Sequence, residues 1–244
     1  MRVHPGAALL IILTASALPA FAQSQPANTV RALLAAGRLG SVTDTPLRFR
    51  LLSVQLPAAG HASYTGSNSL LYALSGGMTA TIDGVTQAVS AGSGVFIPAG
   101  QAAVISASGA DPASILVFVL SPGDGAQKPP LGEPAQVEEL YRTPELTGLR
   151  PGPYEFSLTR VTLPARMPVN PAHYRSGAAL YYVLAGAGSF MADGKTEPKV
   201  APMAHFEPYR WVHQWANPGD SPLVLLQANI SEEGIPAVLP ATQK

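Results

Sequence analysis

Apolar residues in this chain fall in short runs. Residues 49–56, 70–74, 78–82, 94–97 and 115–120 are either wholly apolar or alternate with polar positions, and Gly, Pro, Asp or Ser bounds each run. A period of two sends one face of a strand into a core and the other toward water, so such runs between turn residues indicate many short strands. The pattern resumes over residues 154–163, 180–184, 189–192, 205–207 and 223–230. Two short segments carry a helical pattern instead: residues 30–36, ended by Gly37, and residues 136–142 inside the proline-rich stretch between the two series.

The second series repeats the first. An offset of 110 residues sets Ala62, Tyr64, Leu70, Tyr72 and Gly76 opposite Ala172, Tyr174, Leu180, Tyr182 and Gly186, and Asp83-Gly84 opposite Asp193-Gly194. The Asp-Gly pairs suit hairpin turns, since glycine accepts positive φ and Asp bonds to its own turn. Matches fall on turn glycines, prolines and apolar positions, which determine a fold. The polar residues differ, for His173 and His213 stand opposite Ser63 and Ala103. One domain is written twice, and only one copy carries candidate chemistry.

The pattern divides the chain into a signal peptide (1–22), an N-terminal arm (23–47), a first barrel (48–121), a proline-rich linker (122–153), a second barrel (154–230) and a surface tail without periodicity (231–244). The signal peptide is read from a basic start at Arg2 and His4, an apolar run over residues 7–18 and the small-residue cleavage pattern Ala20-Phe21-Ala22. Export to the periplasm or outside the cell is the expected outcome, with no membrane association after cleavage. The chain has no cysteine, so disulfides cannot staple either copy and each must be held by its own apolar core. Charged residues make up 12% and balance to zero, which leaves no basic stripe for a nucleic-acid partner.

The second copy carries His173, then Tyr182-Val183-Leu184-Ala185-Gly186, and later Pro208, His213 and Asn217; the first carries Tyr72-Ala73-Leu74-Ser75-Gly76, Gly92, Pro98 and Gly100. In spacing these resemble the two motifs of the cupin superfamily, G-x5-H-x-H-x3-4-E-x6-G and G-x5-P-x-G-x2-H-x3-N, over most of residues 50–230. The resemblance implies an all-β chain of two cupin barrels (double-stranded β-helix, or jelly roll) in tandem, a bicupin. It also implies where a metal would sit, because metal-binding cupins hold a divalent ion with three histidines and a glutamate. Those positions become Ser63, Thr65, Ser69 and Ala103 in the first copy, which has none of the ligands. In the second copy they become His173, Arg175, Ala179 and His213.

Three readings follow for the second barrel. In the first, His173, Arg175, Tyr182, Trp211 and His213 line a pocket for a small anionic or polar molecule without catalysis. Arginine offers a planar fork to a carboxylate or phosphate, and the imidazoles are adjustable donors beside it. In the second, His173 and His213 hold a divalent metal (Fe, Zn, Mn or Ni) in an oxygenase or isomerase, with His205 and Glu207, two apart on one strand face, as further candidate ligands. Against it stand the missing carboxylate at Ala179 and the guanidinium of Arg175, which does not lose its proton. At about 4 Å and an effective dielectric near 20, an inward Arg175 would repel a dication by about 8 kcal/mol. In the third, both barrels are inert and the protein is a structural or interaction module, with self-association through barrel faces. No Ser, Cys or glycine-rich constellation supports acyl transfer, thiol chemistry or dinucleotide binding.

Overall fold

The computed structural model describes residues 29–42, 46–123 and 130–241; the segment read as a signal peptide lies outside the described residues. These fold into nineteen strands, with no helix among the described residues. They are β1 (Val30–Val42), β2 (Leu47–Leu56), β3 (His61–Tyr64), β4 (Asn68–Ser75), β5 (Gly77–Ile82), β6 (Val85–Val89), β7 (Gly94–Ile97), β8 (Ala103–Ser108), β9 (Ala113–Pro122) and β10 (Gln136–Arg142). The second half holds β11 (Gly152–Leu163), β12 (His173–Arg175), β13 (Ala178–Ala185), β14 (Ala187–Ala192), β15 (Lys195–Val200), β16 (Met203–Glu207), β17 (His213–Ala216), β18 (Leu223–Glu232) and β19 (Val238–Pro240).

Each copy closes into a jelly-roll barrel of two sheets. The first stacks the sheet β10-β2-β9-β4-β7 on β3-β8-β5-β6; the second stacks β1-β11-β18-β13-β16 on β15-β14-β17-β12-β19. The larger sheets also pack against each other through their outer faces. Phe49, Leu51, Leu70 and Phe118 meet Tyr154, Phe156, Leu180 and Ile230 in that seam. The central strands β9 and β18 are therefore buried on both faces, one in a barrel and one in the seam, which is why their sequences are continuous apolar runs rather than alternations. The hairpin turns fall at the two Asp-Gly pairs, with positive φ at Asp83, Gly84, Asp193 and Gly194.

Both segments read as helical are strands. Residues 30–42 form β1, which pairs antiparallel with β11 of the second barrel, and residues 136–142 form β10, which pairs with β2 of the first. The strand that precedes the first barrel thus completes the second, and the one that precedes the second completes the first. Both are edge strands, so no ladder on their outer side specifies alternation. An Ala- and Leu-rich edge strand with irregular register, as in β1, then mimics a helical repeat. β10 is free of proline, with Pro134 and Pro144 outside its ends, so the linker does supply ladder donors. The tail also contributes a strand, since β19 pairs with β12 and buries Val238.

Candidate functional site

Alternation along β13 sorts its side chains between two cores. Ala179, Tyr181 and Val183 enter the second barrel, while Leu180, Tyr182 and Leu184 enter the seam. On β12 the inward positions are His173 and Arg175, and on β17 they are His213 and Trp215. β16 runs antiparallel to β13 with Glu207 directly opposite Ala179, and it turns Glu207 and His205 inward. Four strands therefore aim polar side chains at one point in an otherwise apolar barrel.

At that point lies an ion pair with no access to water. Arg175 is 1% exposed and Glu207 0%, and Arg175 Nε donates to Glu207 Oε2 at 2.8 Å. Trp215 Nε1 donates to Glu207 Oε1 at 2.8 Å. Arg175 Nη2 donates to the Tyr181 hydroxyl, which in turn donates to Gln227 Oε1 at 3.2 Å. Arg31, from β1, donates to that same Oε1 at 3.0 Å. Arg175 Nη1 has no hydrogen-bond partner.

The two histidines are fixed by their own loops. His173 Nδ1 lies 2.8 Å from Pro171 O, and His213 Nδ1 lies 2.8 Å from Trp211 O. A carbonyl only accepts, so each Nδ1 carries the proton and each Nε2 is turned away from the loop. His213 Nε2 sits 3.0 Å from Glu207 Oε1 but out of line for an N–H···O bond. The rings of His173 and His213 meet edge to face at 4.4 Å.

Burial and charge act in opposite directions here. Burial alone would raise the Glu207 carboxyl, but the neighbouring His213 and Arg175 charges hold it well below the ordinary range. Burial opposes the Arg175 charge as well, and Tyr181 and Glu207 overcome it, so its pKa is raised. His173 is lowered to about 4, chiefly by burial and then by His213 and Arg175. His205 is also lowered to about 4, chiefly by burial.

No family model and no curated protein matches the sequence. Among solved structures, AerE from Microcystis aeruginosa matches with a TM-score of 0.54 at 13% identity, covering 82% of this chain and 99% of its own. An oxalate decarboxylase variant from Bacillus subtilis matches with a TM-score of 0.55 at 16% identity, covering 78% and 71%. A further Bacillus subtilis oxalate decarboxylase structure, from work on its Mn(II) centres, matches with a TM-score of 0.53 at 15% identity. This is the fold of a bicupin.

Within that bicupin fold, three of the five residues expected to line a pocket converge and two do not. His173, Arg175 and His213 are inward and buried. Tyr182 is displaced into the seam, because the strand's period of two puts Tyr181 inside instead. Trp211 stands at the barrel's end, its Nε1 donating to Asp193 Oδ2 of the hairpin turn at 2.9 Å, and the indole that reaches the centre is that of Trp215. Glu207 carries the site and was only a secondary candidate. Its signal in the sequence was the pair His205 and Glu207 two apart before Pro208. Asn217 is structural: its amide donates to Leu163 O, Pro164 O and Ser221 O, tying two loops together.

The first barrel differs from the second by a one-residue slip. Tyr64, not Ser63, lies opposite Ala103, as His173 lies opposite His213. The ungapped repeat therefore fails at this strand, and the inward residue is a phenol. Tyr64 plugs the barrel centre, donating to Ser67 O at 2.6 Å and lying against Ser69 Oγ. His61 is exposed on the outer face of β3.

For a metal the donor set of the second barrel fits poorly. Among the described residues no three His, Asp or Glu groups converge closely enough to hold an ion. Both Glu207 oxygens already accept hydrogen bonds, and Arg175 lies against them. Beside the ion pair is a cavity of about 20 Å³, whose walls include Thr29, Arg31, Asn170, His173, Arg175 and Tyr181. That is room for about one water.

Proposed function

We propose that the protein is an exported, non-catalytic bicupin that binds a small anion in its second barrel. The observation that carries this reading is the lining of the cavity: two guanidinium groups, Arg31 and Arg175, face it with His173 and Asn170, and among the described residues no carboxylate lines it. Arg175 Nη1 is a buried donor without a partner, and such a donor gains most from an acceptor that enters the site. The cavity holds about one water as it stands, so a small carboxylate or oxyanion enters only if one wall moves. Larger ligands are disfavoured, since drug-sized molecules occupy about 300 Å³ or more. Thr29 and Arg31 lie at the start of β1, an edge strand, so this wall is the one that can yield.

The test is a thermal-shift and calorimetric screen of formate, acetate, nitrate and phosphate, with uncharged analogues of equal size as controls. A ligand that binds only the folded state must raise Tm. The expected result is a rise with small anions alone, reduced about tenfold in affinity by Arg31→Gln, which leaves the central ion pair intact. No shift with any anion at about 100-fold its expected Kd would overturn the reading.

The second reading, a metal-dependent enzyme, is favoured by one observation, the approach of His213 Nε2 and Glu207 Oε1 to 3.0 Å. It is opposed by Arg175, whose fixed charge lies on the same carboxylate.

A further inference from the structure

We propose that an open groove at the end of the first barrel binds a planar heteroaromatic molecule with a ring N–H, of indole size and without negative charge. The inference rests on a comparison of the two copies and is independent of the small-anion reading, which concerns the second barrel.

The copies share a backbone frame at this end. The hairpin residues Asp83 and Asp193 have φ of 46° and 51°, and Gly100 and Arg210 have φ of 79° and 58°. Gln101 N reaches Pro98 O at 3.5 Å, as Trp211 N reaches Pro208 O at 3.3 Å. Ile82 pairs with Ala103, as Ala192 pairs with His213. The offset of 110 residues therefore holds in space, and Gln101 stands to Asp83 as Trp211 stands to Asp193.

Side chains on that frame differ in one direction. In the second copy the Trp211 indole spans from one turn to the other, donating from Nε1 to Asp193 Oδ2 at 2.9 Å and lying 5.1 Å from the Phe190 ring. The first copy has Gln101 for Trp211, Ala80 for Phe190, Thr81 for Met191 and Gly100 for Arg210. Each is smaller than its counterpart. The result is a groove of about 540 Å³ between residues 63–66, the Asp83 hairpin and residues 100–104. A Cβ at Gly84 or Gly100 would meet nothing within 4 Å, so neither turn closes it. Its volume is within the range of small-molecule sites.

The same comparison gives the chemistry of the walls. Asp83 keeps the carboxylate that in the second copy accepts a hydrogen bond from an indole, and among the described residues of the lining it is the charged one. A ring N–H placed there makes a charge-assisted bond. Ala103 and Val104 supply apolar surface for a ring face, and Ser63, Thr65 and Thr81 supply hydroxyls beside it. A carboxylate on the ligand would meet Asp83 with no cation to offset it, so neutral and cationic rings are selected. Tyr64 is buried beneath and closes the barrel, which confines the ligand to the groove.

The experiment titrates indole, tryptamine and benzimidazole into the protein by calorimetry and NMR, beside 1-methylindole and indole-3-acetate. The first three are expected to bind at about the millimolar level, as suits a ring of this size in an open groove. Blocking the donor in 1-methylindole should weaken binding about fivefold, and indole-3-acetate should bind more weakly still. Gln101→Trp supplies the indole from the chain itself and should abolish binding of all three. If that variant does not fold, Thr81→Met narrows the groove with the second copy's residue and should weaken binding about fivefold. Equal affinity for indole and 1-methylindole overturns the proposal, as does a folded Gln101→Trp protein that binds indole like the wild type. No binding by any of the three rings overturns it too. A wild type that is dimeric while Gln101→Trp is monomeric would put a second copy in the groove and overturn it in favour of self-association.

Discussion

Ala179 and Glu207 are direct partners across β13 and β16, and the carboxylate absent from the first position is supplied by the second. Its counter-ion, Arg175, is as deeply buried as Glu207 itself. Removing one member of such a pair leaves an uncompensated charge in an apolar interior, which costs about 3–5 kcal/mol. Glu207→Ala should therefore lower the unfolding free energy in urea by about that amount. Replacing both residues, Arg175→Met with Glu207→Met, should cost much less than the sum of the two single changes. Additive losses in the double-mutant cycle would mean that the two charges do not depend on each other.

Acid should destabilise the protein before any carboxylate in the site titrates. His173 and His205 are lowered to about 4 from an ordinary 6.5, so between those values the unfolded chain binds more protons than the folded one. Stability then falls as the pH drops through that window, by up to about 3 kcal/mol per histidine. Glu207 acts in the same direction but later. Its stabilising contribution is present above the unfolded carboxylate value and is lost only as the pH falls through its much lower folded value. Urea midpoints at several pH values between 7.5 and 4.5 would read the slope. His173→Gln and His205→Gln should each flatten it, and an unchanged slope in both would exclude these residues as its source.

The fold was legible because its determinants repeat. Turn glycines, Asp-Gly hairpins and apolar runs occur at the same spacing in both copies, and each marks a local backbone requirement that survives without its neighbours. The site was legible only in part, because inward direction depends on register. Tyr181 and Tyr182 are adjacent and chemically alike, and only the pairing of β13 with β16 and β18 decides which enters the barrel. The same parity hid Tyr64 behind Ser63 in the first copy. Glu207 is only a secondary candidate in the sequence because motif spacing directs attention along one strand, whereas its relation to Ala179 runs across two. β1 reads as a helix for a related reason, since its partner lies more than a hundred residues away in the second barrel and its own sequence does not specify a face.

Tyr64 explains why the interior of the first barrel should stay inert. Burial pushes its phenol up to about 12, and its hydroxyl bonds to Ser67 O and Ser69 Oγ within the barrel. Tyr64→Phe keeps the plug and removes one donor, while Ser69 Oγ still donates to Ser67 O at 3.1 Å, so the cost should be about 1 kcal/mol by chemical denaturation. The same change should leave small-anion binding untouched, because Tyr64 lies in the other barrel. A loss of anion affinity in Tyr64→Phe would place the binding site in the first barrel instead.

Gly37 is where the exchanged strand β1 locks onto the opposite barrel. A Cβ at this position would lie 1.9 Å from Cε1 and 2.0 Å from Cδ1 of Phe96, a residue of β7 in the first barrel, although β1 itself is hydrogen-bonded to the second. The missing side chain lets the Phe96 ring sit against the β1 backbone, where it also meets Phe156 edge to face at 6.3 Å. Gly37→Ala must therefore push the ring or the strand aside, an overpacking cost of about 1–3 kcal/mol. Because Arg31 and Thr29 hang from the same strand at the mouth of the second cavity, the shift should also weaken small-anion binding. Phe96→Leu on top of Gly37→Ala should recover most of both losses by making room for the methyl group. If Gly37→Ala is neutral in stability, the ring moves freely and β1 is not fixed by this contact.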